Sequence, residues 1–423
     1  MKSIIQSVKG TREFYPFEMA MRSWLYSKLR SVSESFGYQE YDGPFLESID
    51  LYAAKSGEEL VKEQSFVFPD RGGNLITLRP ELTLSLARMV AQRQNELVYP
   101  LRWWSFGPFW RYEKPQKGRS REFFQWNIDL IGVNSPESDA ELVAICAEFF
   151  RSVGLTSGEV KILVNDRRLV DQQLNQIGID QAKKMEVLGF IDRKDKMRPS
   201  EWKTYVIDKG LSEEQMNGLL EILENKKIAE SSQEINRFFN ALDALGVREY
   251  VEFDPRIVRG LDYYTGIVFE ARDIGENARA ILGGGRYDNL VGDVGGDPLP
   301  GVGFAMGDVV ISILLKELNK LPEIKVNPAS VLVTVFDEVT LPASFSMAAK
   351  IRQAGIAVQV YPEVGKLGKQ YKYADKTGTR FVVTLGPDEI EQGTAQIKDL
   401  VNGKQTSIKQ GAVPEFLLKN LAW

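Results

Sequence analysis

Arginines, acids and aromatic residues alternate in one short stretch of the chain, residues 111–125 (RYEKPQKGRSREFFQ). Side chains two residues apart share a face of a strand, so Arg111 and Glu113 are expected to point the same way. The same spacing places Phe123 and Gln125 on one face. Guanidinium groups pair bidentately with phosphates, and aromatic rings stack on flat bases. We therefore favour a site for a polyphosphate that carries a base over a salt-bridged surface hairpin.

A second group of polar residues lies in residues 258–271 (VRGLDYYTGIVFEA). The pattern predicts a strand after Arg259, with Asp262 and Tyr264 on one face and Tyr263 on the other. An arginine beside a pocket lined by tyrosines suits an anionic transition state next to a polar substrate.

Three consecutive glycines occur in residues 281–292 (ILGGGRYDNLVG). Such a run permits close approach of the backbone to a ligand, but on its own it is more typical of a plain turn. The phosphate-loop pattern GxxxxGK[ST] is absent, and so is GxGxxG between a strand and a helix. A nucleotide site in this chain would have to be of another type.

The composition restricts the possible chemistry. The 423 residues contain no histidine, which excludes Ser-His-Asp and Cys-His nucleophile systems and HExxH metal sites. The single cysteine, Cys146, excludes an internal disulfide and zinc sites built on paired cysteines. Catalysis must rely on carboxylates, arginines, lysines, tyrosines, amides and bound ions, which suits transfer reactions at phosphorus.

Length, charge and hydropathy indicate an ordinary globular protein. The chain is 43% hydrophobic and 26% charged, with a net charge of −5. Its length suggests two or three domains. No apolar run approaches the roughly 18 residues that a membrane span needs, and the first residues do not resemble a secretory signal. We expect a cytoplasmic protein that contacts no membrane.

The elements that must position these groups can be read from the periodicity. Helical spacing predicts helices over residues 17–37, 82–93 and 137–153, and two β-rich runs around a turn predict a hairpin over residues 64–81. Aromatic-rich strands flank the basic loop at 114–121. These elements predict a mostly antiparallel α+β domain.

Composition shifts divide the chain into three domains. Residues 169–247 are charged and helical in pattern, so we expect a helical insertion within a domain formed by residues 1–168 and 248–325. After Pro322, strands and helices alternate, which predicts a small α/β domain with a mainly parallel sheet over residues 326–423.

At this point the residues resemble a family, the histidyl-tRNA synthetases, which are class II aminoacyl-tRNA synthetases. Five blocks carry the resemblance in order and spacing over nearly the whole chain: TLRPELT (77–83), WRYEKPQKGRSREFFQ (110–125), RGLDYYTG (259–266), GGGRYDNLV (283–291) and GVGFAMG (301–307). The C-terminal stretch is similar to the family's anticodon-binding domain.

The resemblance implies an α+β fold: a class II antiparallel catalytic sheet with a helical insertion, plus a C-terminal α/β anticodon-binding domain, in a homodimer. It also implies that L-histidine and ATP, the latter bound with Mg²⁺, form histidyl-adenylate. The histidyl group is then transferred to the 3′ end of tRNA-His. The resemblance identifies no metal ligands.

The family's ATP contacts can be carried over by position. The resemblance implies that Arg111 holds the α-phosphate and takes part in catalysis, and that Arg119 holds the outer phosphates. Phe123 would stack on adenine, and Glu113 would contact adenine or help to position a metal. Arg259 would be the catalytic arginine that stabilises charge developing at the α-phosphorus.

The same resemblance assigns histidine binding to eight residues: Glu81, Thr83, Gln125, Asp129, Arg259, Tyr263, Tyr264 and Tyr287. Glu81, Thr83 and Gln125 would bind the α-ammonium group. Asp129, Tyr264 and Tyr287 would surround the imidazole. A site that hydrogen-bonds both ring nitrogens rejects side chains that lack them, because its buried polar groups would otherwise be unpaired.

Two groups of residues are candidates for tRNA binding. The resemblance places Lys114 and Gln116 in the loop that meets the acceptor end. Lys366, Lys369 and Lys372 form part of a basic run in the C-terminal domain. By itself such a run is more typical of a solvated helix face. The resemblance makes it a stronger candidate for contact with the phosphate backbone of tRNA.

Three positions depart from the family pattern. Asp129 stands where Glu is usual, and Leu82 where Gly is usual. The third motif reads GFAMGDVVI, so Val310 replaces an arginine that normally lies over the ATP, and Asp308 has the wrong charge to substitute for it. An alternative function is therefore a catalytically impaired, synthetase-like regulatory protein that binds histidine or tRNA.

Overall fold

The computed structural model describes residues 4–53, 64–116, 118–194, 197–259, 263–275 and 279–421. The chain forms two compact units. The first consists of Met1–Tyr15 with Met21–Pro322, and the second of Pro16–Ala20 with Glu323–Trp423.

A large mixed sheet organises the first unit. The strands of its described residues are β1 (Gln39–Glu40), β2 (Leu46–Ser48), β3 (Phe66–Pro69), β4 (Leu75–Leu78), β5 (Leu101–Trp110), β6 (Glu122–Ile131), β7 (Val160–Asp166), β8 (Val251–Phe253), β9 (Ile267–Asp273), β10 (Ala280–Tyr287) and β11 (Gly301–Gly307). Among the described residues, the large sheet contains eight of these strands, in the order β1-β5-β6-β11-β10-β9-β7-β8. The six inner strands are antiparallel, and the short edge strands β1 and β8 pair in parallel. The expected antiparallel α+β architecture is confirmed.

A smaller antiparallel sheet, in the order β2-β4-β3, lies in the same unit. Strands β3 and β4 flank the turn at Asp70–Gly73. The carboxylate oxygen Oδ1 of Asp70 accepts hydrogen bonds there from the backbone N–H groups of Gly72 and Asn74, at 2.7 and 2.9 Å. The predicted hairpin is confirmed.

The helices agree with the periodicity to within about two residues at each end. The described helices whose bounds begin before Pro322 are α1 (Pro16–Ser35), α2 (Ile49–Ala53), α3 (Thr83–Arg93), α4 (Pro136–Ser152), α5 (Arg167–Gln176), α6 (Lys184–Lys194), α7 (Pro199–Asp208), α8 (Glu213–Glu224), α9 (Gln233–Ala244), α10 (Leu290–Asp293) and α11 (Asp308–Glu317). Helix α4 shows why the boundaries are readable. Ser135 caps its first turn, Pro136 follows, and Glu137 complements the positive end of the helix dipole.

The main core lies on one face of the large sheet. Trp126 and Ile128 of β6 are fully buried there, and the Trp126 ring lies 5.4 Å from the ring of Phe149 on α4. Because side chains alternate along a strand, Gln125 and Asp129 of β6 are left for the opposite face. That opposite face carries the candidate site.

The helices between β7 and β8 divide between two cores. Residues of α5 to α8, such as Leu174 and Trp202, form a separate cluster. Helix α9 differs, because its residues Ile235, Phe238 and Leu242 belong to the main core together with α4.

The second unit has a five-stranded sheet in the order β13-β12-β14-β15-β16. Its elements are β12 (Val331–Val333), α12 (Leu341–Gln353), β13 (Val358–Val360), α13 (Leu367–Lys376), β14 (Phe381–Thr384), α14 (Pro387–Glu391), β15 (Thr394–Asp399), β16 (Gln405–Lys409) and α15 (Val413–Leu421). Strands β13, β12 and β14 are parallel, as the alternating pattern predicts, whereas β15 and β16 are antiparallel. None of the helices in the described ranges of either unit is long and apolar enough to cross a membrane.

Candidate active site

Glycines create the depth of the site on the open face of the large sheet. Gly303 of β11 pairs with Asp129 of β6, and a Cβ atom at Gly303 would overlap the Asp129 carboxylate. A Cβ atom at Gly283 of β10 would overlap the Arg259 guanidinium group. The interpretation of the glycine run as a turn is therefore wrong. These glycines lie within β10, where the missing side chains let Arg259 lie directly on the sheet.

Asp129 and Tyr287 form a buried pair at the centre of this face. The Tyr287 hydroxyl donates a hydrogen bond to Asp129 Oδ1 at 2.6 Å. Burial raises the pKa of Asp129 to about 7, although the hydrogen bond from Tyr287 acts in the opposite direction. The carboxyl group can therefore accept or donate a hydrogen bond near neutral pH.

Tyr41, which follows β1, also lies near this pair. Burial raises its pKa well above the usual range, and the nearby Asp129 carboxylate adds to this effect. Within the described residues its hydroxyl has no hydrogen-bond partner. The Asn127 amide nitrogen, two residues from Asp129 on β6, is likewise buried without a partner there. Buried polar atoms of this kind are what a polar ligand would satisfy.

Two further tyrosines, Tyr263 and Tyr264, pack beside the pair. The Tyr263 ring lies 4.9 Å from the ring of Tyr264 and 6.1 Å from that of Tyr287. Burial raises the pKa of Tyr263 well above its ordinary value, and the charges of Tyr264 and Glu81 add to the effect, whereas a hydrogen bond with Thr83 opposes it. Glu81 is buried just before helix α3, which begins at Thr83. The structure thus brings Glu81, Thr83, Asp129 and the three tyrosines together, with Gln125 on the same face of β6.

Arg259 enters the same region from a loop. The prediction of a strand after Arg259 is wrong over residues 263–266, because β9 begins only at Ile267, and Arg259 has a left-handed φ of 53°. Asp262 lies outside the described residues. The Arg259 guanidinium forms an ion pair with Glu270 of β9. Burial is the largest single influence on the pKa of Arg259 and lowers it, but the charge and hydrogen bond of Glu270, together with the nearby Tyr264 and Tyr263, raise the pKa overall.

The residues predicted to bind a nucleotide line a neighbouring cavity of about 190 Å³. Its walls are formed by Arg111, Glu113, Gly118, Arg119, Ser120, Phe123, Gly307, Val309 and Val310. The Arg111 guanidinium lies 5.4 Å from the centre of the Phe123 ring, and its Nε donates to the carbonyl of Pro80 at 3.0 Å. Arg119 forms a 3.3 Å ion pair with Glu113, and its side chain is 65% exposed, so it can turn towards a ligand.

Val310 lies in this cavity, whereas Asp308 is held elsewhere. The Asp308 carboxylate accepts two hydrogen bonds from Arg12 Nη2, at 3.0 and 2.9 Å, and one from the backbone N–H of Phe124 at 3.0 Å. Burial raises the pKa of Asp308, with Arg12 acting against this effect. Asp308 therefore ties β6 to the start of α11 and supplies no group to the cavity wall.

The candidate tRNA contacts are exposed in both units. Lys114 and Gln116 lie on the hairpin between β5 and β6. Lys366, Lys369 and Lys372 are exposed at the start of α13 and along it, spaced three residues apart on one side of the helix. Lys369 forms a 2.8 Å ion pair with Glu363.

Sequence reasoning missed four residues of the site. Asn127 could have been found, because it alternates with Gln125 and Asp129 along β6. Tyr41, Glu270 and Arg167 had no comparable signal. Tyr41 and Glu270 reach the site through the pairing of distant strands, and Arg167 supports it by donating to the carbonyl of Arg259 at 2.8 Å. Across the part of the chain that the structure describes, no group of three or more His, Cys, Asp or Glu side chains could hold a metal ion.

Comparison with known proteins agrees with this architecture. Residues 10–308 match the family model of histidyl-tRNA synthetase, and residues 330–420 match that of an anticodon binding domain. The histidine–tRNA ligase of Thermoplasma volcanium is 38% identical, with 99% of this chain and 100% of the relative covered. That of Leptospira biflexa is 35% identical, with 96% and 95% covered.

A crystal structure of histidyl-tRNA synthetase from Nostoc sp. PCC 7120 superposes with a TM-score of 0.82 at 26% identity, covering 99% of this chain and 100% of the other. Sheet, site and similarity together define an aminoacyl-tRNA synthetase. Within that class, the chain belongs to the histidyl-tRNA synthetase family.

Proposed function

We propose that this chain is a histidine–tRNA ligase that uses Mg-ATP to convert L-histidine into histidyl-adenylate and then esterifies the 3′ end of tRNA-His. One observation carries the proposal beyond family membership. The buried Asp129–Tyr287 pair and the Arg259–Glu270 ion pair lie on one sheet face beside the cavity of Arg111 and its neighbours.

The buried pair suits an imidazole ring. An imidazole presents one N–H donor and one acceptor nitrogen, and the Asp129 carboxyl and Tyr287 hydroxyl can complement both. Tyr264 closes the pocket, with Tyr263 beside it. A side chain that lacks ring nitrogens would leave these buried groups unpaired, which explains selectivity for histidine. Glu81, Thr83 and Gln125 are the acceptors proposed for the α-ammonium group.

The cavity beside Phe123 suits part of a nucleotide. Its 190 Å³ is below the several hundred Å³ usual for a whole ligand site, so we propose that it holds the base and that the phosphates extend towards Arg111 and Arg119. Mg²⁺ would arrive bound to ATP, and Glu113 is the carboxylate of the cavity wall that could approach it.

Arg259 and Arg111 are the proposed catalytic residues. In the first step, a carboxylate oxygen of histidine attacks the α-phosphorus in line, the bond to the bridging oxygen breaks, and pyrophosphate leaves. Negative charge spreads over the α-phosphate oxygens, and two fixed guanidinium groups stabilise it. In the second step, a hydroxyl of the terminal tRNA ribose attacks the acyl carbon, and AMP leaves.

Recognition of tRNA would use both units. We propose that residues 1–168 with 248–325 form the catalytic domain, that residues 169–247 form a helical insertion, and that residues 326–423 bind the anticodon. Lys114 and Gln116 would approach the acceptor end. The exposed side of α13 with Lys366, Lys369 and Lys372 would contact the phosphate backbone of tRNA, since lysines supply positive charge without reading the bases.

We also propose a homodimer. Large apolar side chains are exposed on and beside the small sheet of the first unit, at Phe45, Leu46, Val67, Phe68 and Leu75. Contiguous exposed apolar surface is typical of protein–protein contacts. Light scattering of the intact chain should give twice the 47.7 kDa chain mass, and a monomer at micromolar concentration would contradict the dimer.

The test of the proposed function is aminoacylation of a tRNA-His transcript with each of the twenty amino acids. Charging with L-histidine alone is expected. Val310 is the observation that favours a second candidate, a regulator that binds histidine or tRNA without turnover, because no guanidinium stands at that position of the cavity. Binding of histidine with neither charging nor adenylate formation would support the regulator and refute the ligase.

A further inference from the structure

Arg167 is a buried arginine, and each of its three side-chain nitrogens donates a hydrogen bond to the same loop. It is the first residue of α5 and is only 6% exposed. Its Nε, Nη1 and Nη2 atoms donate to the carbonyl oxygens of Val258, Tyr264 and Arg259, at 3.0, 3.1 and 2.8 Å. A single guanidinium group thus connects both sides of the loop that carries the proposed catalytic arginine.

Further hydrogen bonds from residues next to Arg167 hold the same loop. The Arg167 backbone N–H donates to the carbonyl of Gly266 at 3.0 Å. Two residues earlier, the Asn165 amide donates to the carbonyls of Pro255 and Ile257, at 3.0 Å each. The end of β7 and the start of α5 therefore fix the loop along its described length.

The loop needs such support because its shape is costly. Arg259 has a φ of 53°, and a left-handed conformation costs a non-glycine residue roughly 1–2 kcal/mol. In this conformation the Arg259 side chain lies over Gly283 and reaches Glu270. Because Arg167 Nη2 bonds the carbonyl of Arg259 itself, it acts on the residue whose backbone is strained.

We propose that Arg167 is a positioning residue for adenylate formation: it holds the left-handed backbone of Arg259 and the position of Tyr264, and touches neither substrate. The inference rests on the proposed function, because Arg259 and Tyr264 are its assigned catalytic and histidine-binding groups. Lysine cannot replace Arg167, since one ammonium group cannot span three carbonyls that a planar fork reaches together.

Steady-state ATP–pyrophosphate exchange with Arg167→Met tests the proposal. The kcat is expected to fall by about 100-fold, the effect of a misplacement of roughly 1 Å in a catalytic group. The KM for histidine should rise because Tyr264 is released. The KM for ATP should stay unchanged, since Arg111 and Phe123 lie on a separate hairpin.

Arg168→Met is the matched control. Arg168 is the next residue of the same helix, and its side chain bonds Asp166 and Glu234 rather than the loop carbonyls. The control should lose thermal stability without changing either KM. If Arg167→Met behaves like this control, with activity falling only in proportion to the folded fraction, the positioning role is wrong.

Hydrogen–deuterium exchange on Arg167→Lys provides a readout that does not require turnover. Faster exchange is expected in peptides covering residues 255–266, with unchanged exchange in peptides of β5 and β6. Unchanged exchange at 255–266 would overturn the proposal even if the methionine variant fails to fold. If the wild-type chain shows no histidine-dependent pyrophosphate exchange, the proposed function fails. The deuterium experiment then still tests whether Arg167 holds the loop that carries Arg259 and Tyr264.

Discussion

Replacement of Asp129 by Asn tests the buried carboxyl group directly. Burial raises the Asp129 pKa from 3.8 to about 7 in the folded protein. The folded state therefore binds a proton more tightly than the unfolded chain, and the free energy of unfolding falls as the pH rises from about 4 to about 7. At about 1.4 kcal/mol per pH unit, the wild-type chain loses up to about 4 kcal/mol over this range.

Asp129→Asn keeps the shape of the side chain but never ionises. Its stability relative to wild type should therefore increase with pH, with no charge-related gain at pH 4 and a gain of up to about 4 kcal/mol at pH 8. The same variant should bind histidine about 10- to 100-fold more weakly, because one hydrogen bond to a charged acceptor is lost. More stable protein with weaker substrate binding is the signature of a buried functional charge.

The assay is guanidinium unfolding monitored by tryptophan fluorescence at pH 4, 6 and 8. Six of the seven tryptophans precede Pro322, so the signal reports mainly on the first unit. Tyr287→Phe is an informative companion, because loss of its hydrogen bond should raise the Asp129 pKa further and move the transition to higher pH. A stability difference between Asp129→Asn and wild type that is the same at all three pH values would contradict the raised pKa of Asp129.

Three further substitutions test Gly303 beside Asp129, the cavity that Val310 lines, and the contact between Arg12 and Asp308 at the start of α11. Gly303→Ala should raise the KM for histidine by about tenfold or more and leave that for ATP unchanged, because its Cβ would displace the Asp129 carboxylate; unchanged histidine kinetics would show that Asp129 is not a substrate contact. Val310→Asp should raise the KM for ATP by at least about tenfold, because a charged carboxylate would lose solvation when the base fills the cavity that Val310 lines. Histidine binding measured by calorimetry is the internal control, and equal losses for both substrates would contradict the placement of ATP. Arg12→Met should destabilise the first unit by about 2 kcal/mol at pH 8 and by less at pH 5, where the unpaired Asp308 can take up a proton; a thermal-denaturation difference that does not depend on pH would count against this.

The local sequence pattern predicts the elements correctly where the chain follows a regular helical or strand period. Alternation along one strand placed Phe123 and Gln125 on the same face, and both residues lie in β6. Helical spacing located α3 and α4 to within about two residues, and the Ser135 cap marks the start of α4. The roles assigned to these residues stay predictions until substrates are bound.

The errors come from places where tertiary contacts override the local pattern. Residues near Tyr264 continue the alternation of a strand, but the carbonyl contacts of Arg167 turn this segment into a loop. The glycines around Gly283 resemble a turn, but they lie in β10 because a side chain from elsewhere must occupy their space. Nothing in the local sequence shows that Arg12, 296 positions away, neutralises Asp308.

The most direct test of the account is histidine-dependent ATP–pyrophosphate exchange, measured on the intact chain and on Arg259→Ala. We expect exchange with L-histidine despite Val310, and a loss of at least about 100-fold in kcat in the variant, because the guanidinium that stabilises the transition-state charge is gone. Exchange that survives in Arg259→Ala would contradict its catalytic role. No exchange from a folded wild-type chain that still binds histidine would contradict the ligase itself.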